Sequence, residues 1–130
     1  MTIRDRIMGM GAVLAALIVL GSPPLRAAAA DDEKAAAQAK EHFKNGVALF
    51  EKGEFAGAME EFNRSFFLKP IWMLRYNIGL CYLKLGYKAE GATELTLYLE
   101  KGGKSVKAAA EQEVKKILDE LLPDLSILKI

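Results

Sequence analysis

Few side chains in this sequence are of a type that could carry chemistry, and their spacing works against it. His42 is the only histidine and Cys81 the only cysteine. A metal site needs three or four ligands converging on one point, and neither residue has a second histidine or an Asp/Cys cluster at ligand spacing. The carboxylate pairs Glu60-Glu61 and Asp119-Glu120 are sequence neighbours. Adjacent residues on a helix point in different directions, so these pairs read as solvated faces rather than as an acid and a base. No serine or cysteine nucleophile has a base with an identifiable place. The nearest approach to a phosphate-binding loop, Lys101-Gly102-Gly103-Lys104, lacks both the preceding strand and a Ser/Thr-bearing helix start, and it reads as a turn. No catalytic residue, metal or cofactor is expected, which leaves a binding surface.

The elements that would build such a surface repeat. Gly46, Gly53 and Phe62 recur 33 residues later as Gly79, Gly86 and Leu95. A period of about 34 residues marks helical-hairpin repeats, in which one unit cannot bury its apolar face alone and stacks on the next. The spacing predicts helices over 33–51, 54–68, 71–85, 88–100 and 105–122. Asp31-Asp32-Glu33 supply negative charge at the first N-terminus, Gly53 and Gly86 end the first and third helices, and Pro70 and Gly102-Gly103 end the second and fourth. The last segment is amphipathic, with Ala109, Ala110, Val114, Ile117, Leu118 and Leu121 on one side, as a closing helix requires. Pro123-Asp124 should end it. The apolar tail from Leu125 to Ile130 then either packs back on that helix or pairs as a strand with a partner's edge.

The N-terminal stretch belongs to targeting rather than to the fold. Arg4 and Arg6 precede an apolar run over residues 8–20, followed by Gly21-Ser22-Pro23-Pro24 and an alanine tract. This is a signal-peptide layout, with small residues placed for cleavage after Ala29 or Ala30. An uncleaved anchor is the alternative, but the run is shorter than the roughly 20 residues that cross a bilayer. No cysteine stands at the cleavage site to accept a lipid. Without Arg4, Arg6, Arg26 and Asp5 the counts fall from 18 basic and 17 acidic residues to 15 and 16, a net charge of −1. That balance argues against nucleic acid as a partner. In an oxidising compartment a lone cysteine forms no internal disulfide, and Cys81, flanked by Leu80 and Tyr82, is expected to be a buried thiol.

The first unit, with Asn45-Gly46, Leu49, Gly53, Phe55, Ala58, Phe62 and Pro70, resembles the tetratricopeptide repeat (TPR) family, although His42 stands where a tryptophan is usual. The second unit keeps Tyr76-Asn77-Ile78-Gly79, Tyr82 and Leu85-Gly86. Its later half departs from the pattern: Gly91 takes the place of Ala58, Tyr98 replaces a small residue, and the closing proline is missing. Gly91 costs about 1 kcal/mol of helix propensity against alanine, which close packing would have to offset. The resemblance implies an all-α fold, an α-solenoid of two TPR-like helical hairpins plus a C-terminal capping helix, preceded by a signal peptide. The domains would be 1–30, signal peptide; 31–122, helical domain, with units 38–70 and 71–104 and a cap over 105–122; and 123–130, tail.

In that family the first helices of successive units line a concave groove that holds a peptide or a partner helix. Carried over by the spacing from Gly46 and Gly79, the groove side would hold Lys40, Phe43, Val47, Phe50 and Glu51. The second unit would add Met73, Tyr76, Asn77, Leu80, Leu83 and Lys84. A subset of the family clamps terminal carboxylates with lysines and asparagines on these helices, but only Asn77 fits that pattern, and Phe43 and Val47 stand where polar groups are needed. Two readings of the apolar wall remain open: a free groove for a protein or peptide, or a wall consumed as core when the closing helix folds over Phe43, Tyr76 and Leu80. The expectation is therefore an exported scaffold, placed in the periplasm of a Gram-negative bacterium, that binds a protein partner and uses no enzyme chemistry. The alternative is an accessory that homodimerises or docks on a larger envelope complex through its groove, cap or tail.

Overall fold

A computed structural model gives the structure of the protein over residues 25–126. The apolar run over 8–20 and tail residues 127–130 lie outside the described residues. Five α-helices account for most of the described chain: α1, Leu25–Glu51; α2, Phe55–Leu68; α3, Leu74–Lys84; α4, Lys88–Gly102; and α5, Ala108–Ser126, with a 3-10 turn at Gly103–Ser105. No strand occurs among the described residues, and the fold is all-α. The chain divides between Lys34 and Ala35 into two units. In the first unit, residues 25–34 are helical and exposed; the packing described below belongs to the second, Ala35–Ile130.

The two glycine stops are built alike. Gly53 donates its N–H to the Phe50 carbonyl (3.0 Å), and Glu54 reaches back to Leu49 (2.9 Å). Thirty-three residues on, Gly86 donates to Leu83 (3.1 Å) and Tyr87 to Tyr82 (2.9 Å). This is the helix-ending motif that satisfies two orphan carbonyls and requires a left-handed residue. Gly53 and Gly86 accordingly have φ of 79° and 88°.

Each stop turns the chain back on itself. Ala39 meets Ser65, His42 meets Glu61, and Phe50 meets Phe55, so α1 and α2 run in opposite directions. Tyr76 against Tyr98, Gly79 against Leu95 and Leu83 against Gly91 say the same of α3 and α4. The helices touch where the echo predicts. A Cβ on Gly46 would lie 2.6 Å from the Phe62 ring, and one on Gly79 3.1 Å from Leu95 Cγ.

Two apolar clusters result, sharing α3. The first joins Ala58, Phe62, Leu74, Ile78 and Cys81, with Val47, Leu49 and Phe50 packed on its edge. The second joins Leu95, Tyr98, Val106 and Val114, flanked by Trp72, Tyr76, Leu83, Ile117 and Leu118. Val114, fully buried, is the point at which α5 enters the second cluster.

The element ends differ from expectation at five places. α1 is already helical at Leu25, ahead of residue 33; alanine is the strongest helix former, and nothing in Ala27–Ala30 breaks a helix. Asp31-Asp32-Glu33 therefore stand inside α1 rather than in its first turn. α3 begins at Leu74 rather than at Ile71. Pro70 holds Lys69 extended (φ −141°, ψ 99°), and residues 71–73 form turns in which Leu74 N–H reaches the Ile71 carbonyl (3.1 Å). α4 extends to Gly102, and α5 starts three residues late, at Ala108. Pro123 does not end α5, which continues to Ser126. An ion pair from Lys88 on α4 to Asp124 ties down the turn that holds Pro123.

Candidate functional site

α1 presents Ala36, Ala39, Lys40 and Phe43 at steps of three and four residues, so these four share one face of the helix. α3 sets Leu74 and Asn77 opposite, one turn apart. The end of α2 and its connection to α3 close the floor and one end with Ser65, Lys69, Ile71 and Met73. The result is an open concavity of about 430 Å³, lined mainly by apolar atoms. Ser65 is buried, and its hydroxyl donates to the Ala39 carbonyl (2.8 Å). The remaining polar groups lining it belong to Lys40, Lys69 and Asn77. Phe43, Ile71 and Met73 are 38%, 46% and 54% exposed, which makes this an uncovered apolar surface rather than a filled core.

Of the groove residues expected from the sequence, the structure brings Phe43, Met73 and Asn77 together here, with Lys40. Val47 and Phe50 are half-buried and pack on the first cluster, Phe50 edge-on to Phe55 with ring centres 5.1 Å apart. Tyr76 and Leu83 join the second cluster. Leu80 is half-buried outside both clusters, Glu51 is exposed, and Lys84 lies over the Phe55 ring at 5.9 Å. The two open readings of the wall thus divide along α3: α5 takes Tyr76, while Phe43 stays uncovered.

Tyr76 marks the division. Its ring lies 5.5 Å from that of Tyr98, and its hydroxyl donates to Glu113 of α5 (3.0 Å). Burial, then the hydrogen bond to Glu113 and the negative charge of that carboxylate, push the phenol up to about 12. A tyrosine so held stays neutral and keeps donating.

The groove wall is pinned from behind by charge. His42 Nδ1 lies 2.7 Å from Glu61 Oε2, joining α1 to α2 one residue from Phe43, and Arg64 adds a second contact to Glu61 at 3.3 Å. The hydrogen bond with His42 holds the Glu61 carboxyl below its ordinary range, against the opposing effect of burial; the charges of His42 and Arg64 act in the same direction. His42 thus joins α1 to α2 through Glu61; no group of three potential metal ligands occurs among the described residues. Cys81 is fully buried, and burial pushes its thiol up to about 11, which makes it a poor nucleophile at neutral pH. No helix among the described residues is long and apolar enough to cross a membrane.

Sequence reasoning missed the floor of the groove. Ser65, Lys69 and Ile71 come from the end of the second helix and the connection after it, whereas the family pattern draws a groove from first helices alone. The available signal was Pro70, which holds Lys69 extended and parts α2 from the turn over 71–73 at the groove mouth. No protein-family model, curated protein or solved structure matches this chain.

Proposed function

We propose that the protein is an exported adaptor of TPR-like build, two helical hairpins closed by a capping helix, that holds a partner protein in the bacterial cell envelope through the groove between α1 and α3. One observation carries the reading: half of the inner wall is closed by α5, while the adjoining half, around Phe43, Ile71 and Met73, is left open and apolar. Exposed apolar surface of this kind marks interaction sites on soluble proteins. The N-terminal pattern of Arg4, Arg6 and the apolar run over 8–20 supports export.

Tyr76 is a poor probe of the groove, because replacing it also unseats α5. Met73 and Phe43 are the clean positions. A photo-crosslinking residue at Met73, placed in the intact cell, is expected to give discrete adducts with one envelope protein. The same residue at Lys107, exposed and away from the groove, should give none. Adducts at both positions alike, or a mature N-terminus other than Ala30 or Asp31 by mass spectrometry, would count against the adaptor or against export respectively. An adduct of two copies of the chain would move the reading to a homodimer.

A further inference from the structure

We infer that one end of the molecule docks on an anionic bilayer surface, with Phe67 and Ile71 entering the headgroup layer and Lys101, Lys104 and Lys107 pairing with the lipid charge. The inference stands apart from whatever occupies the groove.

Two connections build this end. α2 passes into α3 through residues 69–73, and α4 passes into α5 through the 3-10 turn at Gly103–Ser105. Trp72 joins them: its ring packs on Gly102, where an added Cβ would stand 2.5 Å away, and lies 5.3 Å from the Tyr98 ring. Phe66, Pro70, Ile71, Trp72 and Arg75 share a concavity of about 330 Å³ with Lys101. Apolar groups of one connection therefore meet the charge of the other on one surface.

The apolar part is left in water. Phe67, in the last turn of α2, is 89% exposed, and Ile71 is exposed beside Trp72. The charged part is uncompensated. Lys101, Lys104 and Lys107 are exposed and make no ion pair among the described residues. Lys69 has an interaction of its own and is left out of the count; Glu100 is the one carboxylate within residues 66–73 and 100–107. The opposite end, at the two glycine stops, is balanced: Glu51, Glu54 and Asp124 stand against Lys52, Lys84 and Lys88. Basic excess is thus a property of one end, not of the chain. Lysines alone would suit any polyanion, but exposed apolar side chains among them separate a bilayer from a soluble one. The apolar groups reach past the headgroups while the lysine stems keep their charge at headgroup level.

The test uses the chain as recovered from cells and vesicles of phosphatidylcholine, alone or mixed with phosphatidylglycerol. Trp72 is the only tryptophan, so quenching of its fluorescence by lipids with brominated acyl chains reports on this end whatever the N-terminus does. Quenching is expected on the anionic vesicles alone, with release as salt is raised. Lys101→Gln, Lys104→Gln and Lys107→Gln together should lower partitioning roughly 100-fold, at about fivefold per lysine. Phe67→Ser should lower it about tenfold at any salt, through lost apolar burial. All four side chains are exposed, so the circular dichroism should not change; should the triple variant unfold, release by salt gives the same reading. Equal quenching on both vesicles, or indifference to the triple variant, overturns the lysine contact, and indifference to Phe67→Ser overturns the insertion. Vesicle binding without quenching, no binding, or equal affinity for soluble polyphosphate or RNA that ignores Phe67→Ser overturns the bilayer assignment. The crosslink at Met73 tests the groove separately and is left standing by each of these results.

Discussion

Tyr76 shows how one side chain can belong to two structures. By sequence position it is a groove residue, and by contact it is the fastening of α5, through Tyr98 on one side and Glu113 on the other. Its folded pKa of about 12, against the ordinary 10.0, means that the folded state favours the neutral phenol. The stability this confers is fully present below pH 10 and is lost as pH rises through about 12. Tyr76→Phe removes the hydroxyl and should cost about 1 kcal/mol at pH 7, the usual net value of one hydrogen bond. The deficit relative to the wild type should then narrow on the alkaline side, because only the wild type has this phenol to ionise. Urea denaturation of both proteins from pH 7 to 11 measures it. Cys81 also titrates in that range, but it is common to both proteins and cancels in the comparison. A deficit constant across the series would remove Glu113 and burial as the cause of the shift.

Helix contacts separate glycines that look alike in the sequence. Gly46 and Gly57 both lie inside helices, yet a Cβ on Gly46 meets the buried Phe62 ring at 2.6 Å, while one on Gly57 finds only Leu49 at an ordinary 3.4 Å. Gly46→Ala should therefore destabilise by about 1–3 kcal/mol, the cost of overpacking a core that cannot move aside. Gly57→Ala should stabilise, by up to about 1 kcal/mol of recovered helix propensity. Opposite signs in the thermal midpoints are the expected result; a shared sign would mean that propensity or packing alone governs both sites. Gly46 was legible beforehand because its echo at Gly79 marks a repeated close approach. Gly91 was legible as an anomaly, and its reason is Leu83, whose Cδ2 would stand 2.4 Å from an added Cβ. The helix ends were less legible. Proline and glycine state where a helix has difficulty continuing, but Pro123 stands inside α5, in a turn tied down by Lys88 reaching Asp124, a contact 36 residues away in sequence. The groove was legible at Lys40 and Phe43 of its α1 wall and at Met73 and Asn77. Its floor was not, since Ser65 and Lys69 come from the end of α2 and Ile71 from the connection that follows Pro70.

At the scale of the whole molecule the question is whether two clusters make one cooperative unit. Neither has a wall of its own: α3 gives Leu74, Ile78 and Cys81 to the first and Tyr76 and Leu83 to the second. If α3 cannot hold its helix with one side stripped, loosening α5 must loosen the far cluster as well. A chain of this size has little apolar burial to spare, which favours that outcome. Val114 and Cys81 allow a direct measurement, since Val114 is fully buried in the second cluster and Cys81 fully buried in the first. Val114→Ala removes two methyl groups and leaves a cavity, at about 1–3 kcal/mol. The Cys81 thiol, out of reach of solvent, reacts with a disulfide reagent only when the first cluster opens. With a single cooperative unit, each 1.4 kcal/mol lost at Val114 raises the labelling rate of Cys81 about tenfold. Labelling that keeps its wild-type rate while the thermal midpoint falls would mean that α4 and α5 open as a separate unit. The groove would then rest on α1, α2 and α3 alone, and a bound partner, rather than α5, would be what holds its α3 wall in place.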